Sequence, residues 1–161
     1  MASLRIEDYA LIGDCVTAAL VGRNGSIDWL CLPRFDSAAC FAALLGEPEH
    51  GRWLIAPADP KHRIERRYLD GSLVLATTFE TSAGAVELID FFRPRHGPLD
   101  LVRLVRGLRG RVAMCVELIL RFDYGSMALS SMDAPCIASG SDELGRNVGL
   151  AVIYPALWRG R

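Results

Sequence analysis

The sequence predicts a mainly β protein, an antiparallel β-sandwich with one short helix near residues 38–45. Three observations predict it. Apolar runs of strand length, rich in Val, Ile, Thr and aromatic residues, recur along the chain. Gly, Pro, Asn and Asp break them at short intervals. Helix-like spacing covers one brief stretch only. With 161 residues, 51% hydrophobic and 23% charged, the chain suits one compact domain with a packed core rather than a disordered segment.

Each element follows from its residues. Residues 17–22 and 27–32 are apolar and flank Arg23-Asn24-Gly25-Ser26. Asn-Gly between such runs predicts a hairpin with a type I′ turn, whose two central residues need positive φ. Pro33 ends the second strand. Ser37 can cap a helix over Ala38–Leu45, stopped by Gly46 and Pro48. Trp53-Leu54-Ile55 reads as a strand closed by Pro57 and Pro60. Arg63–Leu69 runs to a turn at Asp70-Gly71, and the β-branched stretch Ser72–Glu80 follows. Ser82-Ala83-Gly84 turns into Ala85–Phe92, with Val86, Leu88 and Asp90 on one face. Leu99–Leu108 is the next strand. Val112–Phe122 is long and nearly apolar, which predicts a central position in a sheet.

Charge and cysteine usage narrow the function classes. The formal net charge is −1, which argues against a nucleic-acid binder. Lys61 is the only lysine beside 17 arginines, a bias that fits high-GC coding. Five cysteines form an odd set without a C-x-x-C pair, and the three histidines lie far apart, so no disulfide framework or metal site is expected. No basic leader or long apolar run is present, and a soluble, cytoplasmic location without membrane contact is expected.

Several constellations could carry chemistry. Trp29, Arg34, Phe35 and Asp36 combine aromatic faces with charge and could lie near a sugar. Equally, Asp28 suits a place beside a turn, and Asp36 a pairing with Arg34 or the start of a helix. Glu87, Asp90, Glu117 and Asp123 could serve as acid/base groups, but their strand positions favour pairing with Arg103, Arg106 or Arg121 across a sheet. Arg93, Arg95, Arg103, Arg106, Arg109 and Arg111 form an Arg-rich stretch that reads as a solvated or docking face. Cys31, Cys40 and His50 match no ligand spacing, and buried thiols are the expected reading.

An ordered string of segments resembles one family. Ile6–Asp14, Thr17–Val21, Asn24–Ser37, Cys40–Gly46, His50–Trp53, Tyr68–Thr77, Asp90–Pro94 and Arg121–Gly125 (with Glu117) are similar to the start of bacterial glycoside hydrolase family 15 proteins, glucoamylase- and trehalase-like. The resemblance implies a trehalase-like N-terminal β-sandwich, an incomplete supersandwich over residues 1–125. It further implies hydrolysis of α-glucosidic bonds, in trehalose or maltooligosaccharides, with inversion. In the family both catalytic glutamates belong to a helical barrel, so the resemblance assigns no catalytic residue, cofactor or metal here, and the chain alone is expected to be inactive. It turns the Trp29–Ser37 loop toward the barrel.

The expected partner is that helical-barrel catalytic domain, or a second copy through self-association, with carbohydrate as a candidate ligand. Residues 126–161 lose the pattern and are expected to be a divergent tail, either read out of frame or a genuine short variant with a different closing strand. The rival expectations are a free-standing β-sandwich module that binds carbohydrate or protein, and the product of a decayed gene.

Overall fold

The computed structural model describes residues 4–94, 100–122, 127–136 and 148–153. The first sheet contains β1 (Tyr9–Gly13), β2 (Ala18–Gly22), β3 (Ser26–Cys31), β4 (Ala39–Phe41), β5 (Arg52–Pro57), β10 (Met114–Phe122) and β11 (Met127–Cys136). Its strand order is β1-β2-β3-β5-β10-β11, with β4 paired to β3 beside this path. The second contains β6 (Arg63–Tyr68), β7 (Leu75–Thr81), β8 (Gly84–Phe92), β9 (Leu101–Gly110) and β12 (Val148–Ile153), in the order β12-β9-β8-β7-β6. All described pairings are antiparallel.

One core joins the two sheets. Ile12, Val21, Ile27, Phe41, Trp53 and Ile55 from the first pack with Leu75, Phe79, Val86, Leu88, Leu101 and Val105 from the second. Each such side chain contributes about 1.5–3 kcal/mol by leaving water. Alternation in β5 and β9 sends every second residue into this layer. The sandwich expected from the sequence is therefore present. β10 lies between β5 and β11, an interior strand as its apolar run predicted, but beside the β11 edge rather than at the centre of the sheet.

Two local expectations fail. The helix over residues 38–45 is replaced by strand β4 and a 3₁₀ turn at Ala43–Leu45. All three residues of β4 are buried, with Phe41 opposite Leu30 and Ala39 opposite Cys31. Pairing with β3 thus outweighs the helix preference of an alanine-rich segment. Ser37 caps no helix; its Oγ accepts the Arg34 N–H within the preceding loop.

The Asn24-Gly25 hairpin forms, but not through a type I′ turn. Cys15 is the non-glycine residue with positive φ among the described residues, so Asn24 does not adopt it. Instead the Gly25 N–H closes on Gly22 O, and Asn24 Oδ1 accepts the Ser26 N–H. Gly25 (φ 82°) then returns the chain to the strand. A Cβ there would stand 2.2 Å from Ile55 O, so close approach and φ both require glycine.

Candidate functional site

The Trp29–Ser37 segment begins on β3 and leaves the sheet as a loop. Trp29 is half-buried and packs on the small Cys31, Ala39 and Ala42 cluster. Arg34, Phe35 and Asp36 are exposed, Phe35 to 67%. Arg34 Nε donates to Asp36 Oδ1 at 2.9 Å, and its Nη2 reaches Oδ2 at 3.4 Å. The guanidinium beside it lowers the Asp36 carboxyl pKa. The loop is tied to the β1–β2 turn, because the Phe35 N–H donates to Val16 O. That turn is closed by Asp14 Oδ1, which accepts the Val16 and Thr17 N–H groups. The result is a fastened tip that presents an aromatic ring between two opposite charges.

Asp28 is separate from this tip. It is buried on β3 and accepts Tyr9 OH (2.8 Å) and Ser26 Oγ. Burial, and then the hydrogen bond to Asp28, raise the Tyr9 pKa. Spacing gave no signal for this Tyr9–Asp28 bond, which joins positions 19 residues apart on different strands.

The strand carboxylates meet arginines. Asp90 and Arg103 are directly opposite on β8 and β9, both fully buried, joined at 2.8 and 3.1 Å. Arg103 also donates to Gly25 O (2.8 Å) and Trp53 O, and stacks over the Trp53 ring. It therefore ties the second sheet to a turn and a strand of the first. This corrects the solvated-face reading of the Arg-rich stretch at one member: Leu101, Arg103 and Val105 of β9 are the buried positions of the alternation. Glu87 is buried and held by Arg106 opposite and by Arg67. Glu117 pairs with Arg52 on β5 rather than with Arg121, because β5 is its neighbour in register. Asp123 and Arg95 lie outside the described residues.

Cys31 and Cys40 are buried, as expected, whereas Cys15 and Cys115 are exposed; all four are free. Burial, reinforced by nearby Cys31, pushes the Cys40 thiol up to about 12. Among the described residues, no three His, Cys, Asp or Glu side chains gather as a metal site, and no helix is long and apolar enough to cross a membrane.

A second feature escaped sequence reasoning. Arg23, from the β2–β3 turn, and Arg66, on β6, reach across to each other's strands. Arg23 Nη2 donates to Ile64 O (3.3 Å), and Arg66 Nη1 to Val21 O (3.2 Å). With His62, Arg63, Ile64 and Glu65 they line an open groove of about 740 Å³.

Comparison with known proteins finds relatives at the level of sequence. The family profile "Trehalase-like, N-terminal" matches residues 1–139. A trehalase of Mycolicibacterium smegmatis is 33% identical over 138 residues, covering 74% of this chain and 20% of that protein. Trehalase 1 of Sulfolobus acidocaldarius is 35% identical over 122 residues, covering 76% and 20%. The trehalase of Mycobacterium tuberculosis is 33% identical over 138 residues, covering 74% and 20%. The chain thus spans about a fifth of the length of these relatives. No solved structure matches.

Proposed function

We infer a supporting, non-catalytic role from the family: the chain belongs to the trehalase-like N-terminal domain family, whose profile covers residues 1–139. The whole protein would be a glycoside hydrolase of family 15 that cleaves α-glucosidic bonds, with trehalose as the leading substrate and maltooligosaccharides as the rival. Its location would be the cytoplasm, where thiols such as the four described here stay reduced.

One observation carries the non-catalytic part. Inverting hydrolysis needs an acid and a carboxylate about 6.5–9.5 Å apart, flanking an open substrate site and a water. The buried carboxylates among the described residues are committed elsewhere. Asp28 is held by Tyr9 and Ser26, Glu87 by Arg67 and Arg106, Asp90 by Arg103, and Asp100 by Arg93. Buried behind these partners, none of the four stands free beside an open substrate site.

In this reading the Arg34–Asp36 tip faces the catalytic domain. Phe35 is the contact residue, and Trp29 braces the loop from behind. Its shape supports this role: an exposed ring beside an arginine is the composition of an interface anchor.

The test is glucose release by the purified chain from trehalose and from maltose. No release above the blank is expected, and turnover would overturn the reading. Calorimetric titration with the same sugars adds a second arm. Sugar binding by the chain alone would favour a free-standing carbohydrate-binding module instead.

A further inference from the structure

Among the described residues β6 is an edge strand of the second sheet, and its outer side carries the Arg23–Arg66 groove. Which backbone groups face outward follows from the register. Leu69 donates to Val74 O across the β6–β7 turn. Counting back along the antiparallel ladder, Arg67, Glu65 and Arg63 bond to β7, while Arg66 and Ile64 turn their N–H and C=O groups outward. The Arg23 bond to Ile64 O agrees with this phase. Residues 62–66 could pair with an extended segment about 17 Å long.

The charge at this edge is one-sided. Arg23, Arg63, Arg66 and, when protonated, His62 face a single lining carboxylate, Glu65. Glu65 is already paired with Arg63 at 2.6 Å. Arg23 and Arg66 form no ion pair with any described carboxylate, although Asp8 lies near. Burial and the neighbouring Arg23 both disfavour the charge on Arg66, and Asp8 offsets this only in part. Beyond residue 66 the Tyr68 side chain crosses to β1, where its OH accepts the Leu11 N–H (3.0 Å) and donates to Leu11 O (2.8 Å). An open stretch of edge, bounded by a tyrosine and lined by unpaired guanidinium groups, is the complement of an acidic strand.

We propose that the β6 edge over residues 62–66 docks an acidic, extended polypeptide segment by strand addition. The Ile64 and Arg66 amides hydrogen-bond to its backbone, and Arg23 and Arg66 pair with its carboxylates. Arg23 must leave Ile64 O to do so; its donor bond there is long and exposed.

The probe is an acetylated, fluorescein-labelled hexapeptide of alternating Glu and Val, titrated into the full chain with anisotropy and amide NMR as readouts. Saturable binding with shifts at Ile64 and Arg66 is expected. Replacing each Glu of the peptide by Lys should weaken binding at least tenfold, as should N-methylation of alternate peptide amides. Neither change needs a protein variant. Arg23→Gln, at an exposed side chain, should weaken binding several-fold with an unchanged melting temperature. Equal binding of the N-methylated peptide, or its full displacement by equimolar inorganic phosphate, would reduce the site to a small-anion patch and overturn strand addition. No binding, or binding only by a DNA oligonucleotide, would overturn it as well.

Discussion

Two Arg–Asp pairs in this molecule have almost the same geometry and opposite consequences. Arg103–Asp90 and Arg34–Asp36 each form a forked contact, at 2.8 and 2.9 Å through Nε. The first is fully buried between sheets, whereas the second has side chains 58% and 54% exposed on a loop. Water screens the loop pair and would solvate either partner alone, so the fork there sets shape more than stability. In the core no water replaces a lost partner. Deleting one member leaves a buried charge, and that penalty is what makes the pair matter.

The largest effect should therefore follow Arg103→Met. About 3–5 kcal/mol of stability should be lost, read by urea unfolding, because Asp90 would be stranded. A loss below 1 kcal/mol would mean that burial does not set the two pairs apart. The double variant Arg103→Met with Asp90→Leu separates the ion pair from the carbonyl contacts of Arg103. In a simple buried pair, apolar replacement of both partners is often neutral. Here Gly25 O and Trp53 O also lose the guanidinium, so the double variant should recover only part of the loss. Gly25→Ala attacks the same junction from its other side. Positive φ alone costs about 1–2 kcal/mol, and the 2.2 Å approach to Ile55 O adds to it. A melting temperature as high as that of the parent chain would contradict this.

Alkaline pH probes burial by another route. Tyr9, Cys31 and Cys40 all have raised pKa values in the folded state, with burial as the first cause. Above pH 9 the unfolded chain loses the Cys40 proton while the folded chain keeps it. The folded state then binds more protons, so stability must fall as pH rises, through about 12 for Cys40. At pH 10 this costs about 1 kcal/mol for Cys40 alone. Urea midpoints at pH 7 and 10 should separate in the parent chain and draw closer in Cys40→Ala. An unchanged gap would place the sensitivity elsewhere.

The fold was legible where pattern is local. Turn residues marked the β6–β7 and β7–β8 hairpins, and alternation put Val86, Leu88 and Asp90 on one buried face. Residues 39–41 were not legible, since a short alanine-containing run suits a helix until a neighbour such as β3 offers its edge. The Asp90–Arg103 and Glu87–Arg106 pairings were foreseeable from strand placement. The inward direction of Arg103 was not, because an arginine is seldom wholly buried and only its four acceptor contacts explain it. The loop at 34–36 was visible as a cluster of suitable side chains. Its fastening to Val16 and the Arg23–Arg66 groove depend on contacts between distant segments, which spacing does not encode.

The exposed pair carries the smallest expected effect. Arg34 holds the Asp36 carboxyl below its ordinary range, chiefly through their hydrogen bond. Such a shift places any stabilisation above the unfolded carboxylate pKa, to be lost as pH falls through the folded value. Because the groups are exposed, that contribution should vanish into solvent screening, and Arg34→Ala should leave the melting temperature unchanged. The microscopic shift should persist. In an NMR titration Asp36 of the parent chain should titrate below a model aspartate and move up toward it in Arg34→Ala. A moved titration with an unmoved melting temperature is the signature of a pair kept for the surface it presents. A marked fall in melting temperature would mean that the tip, like the Arg103 junction, helps to hold the sandwich together.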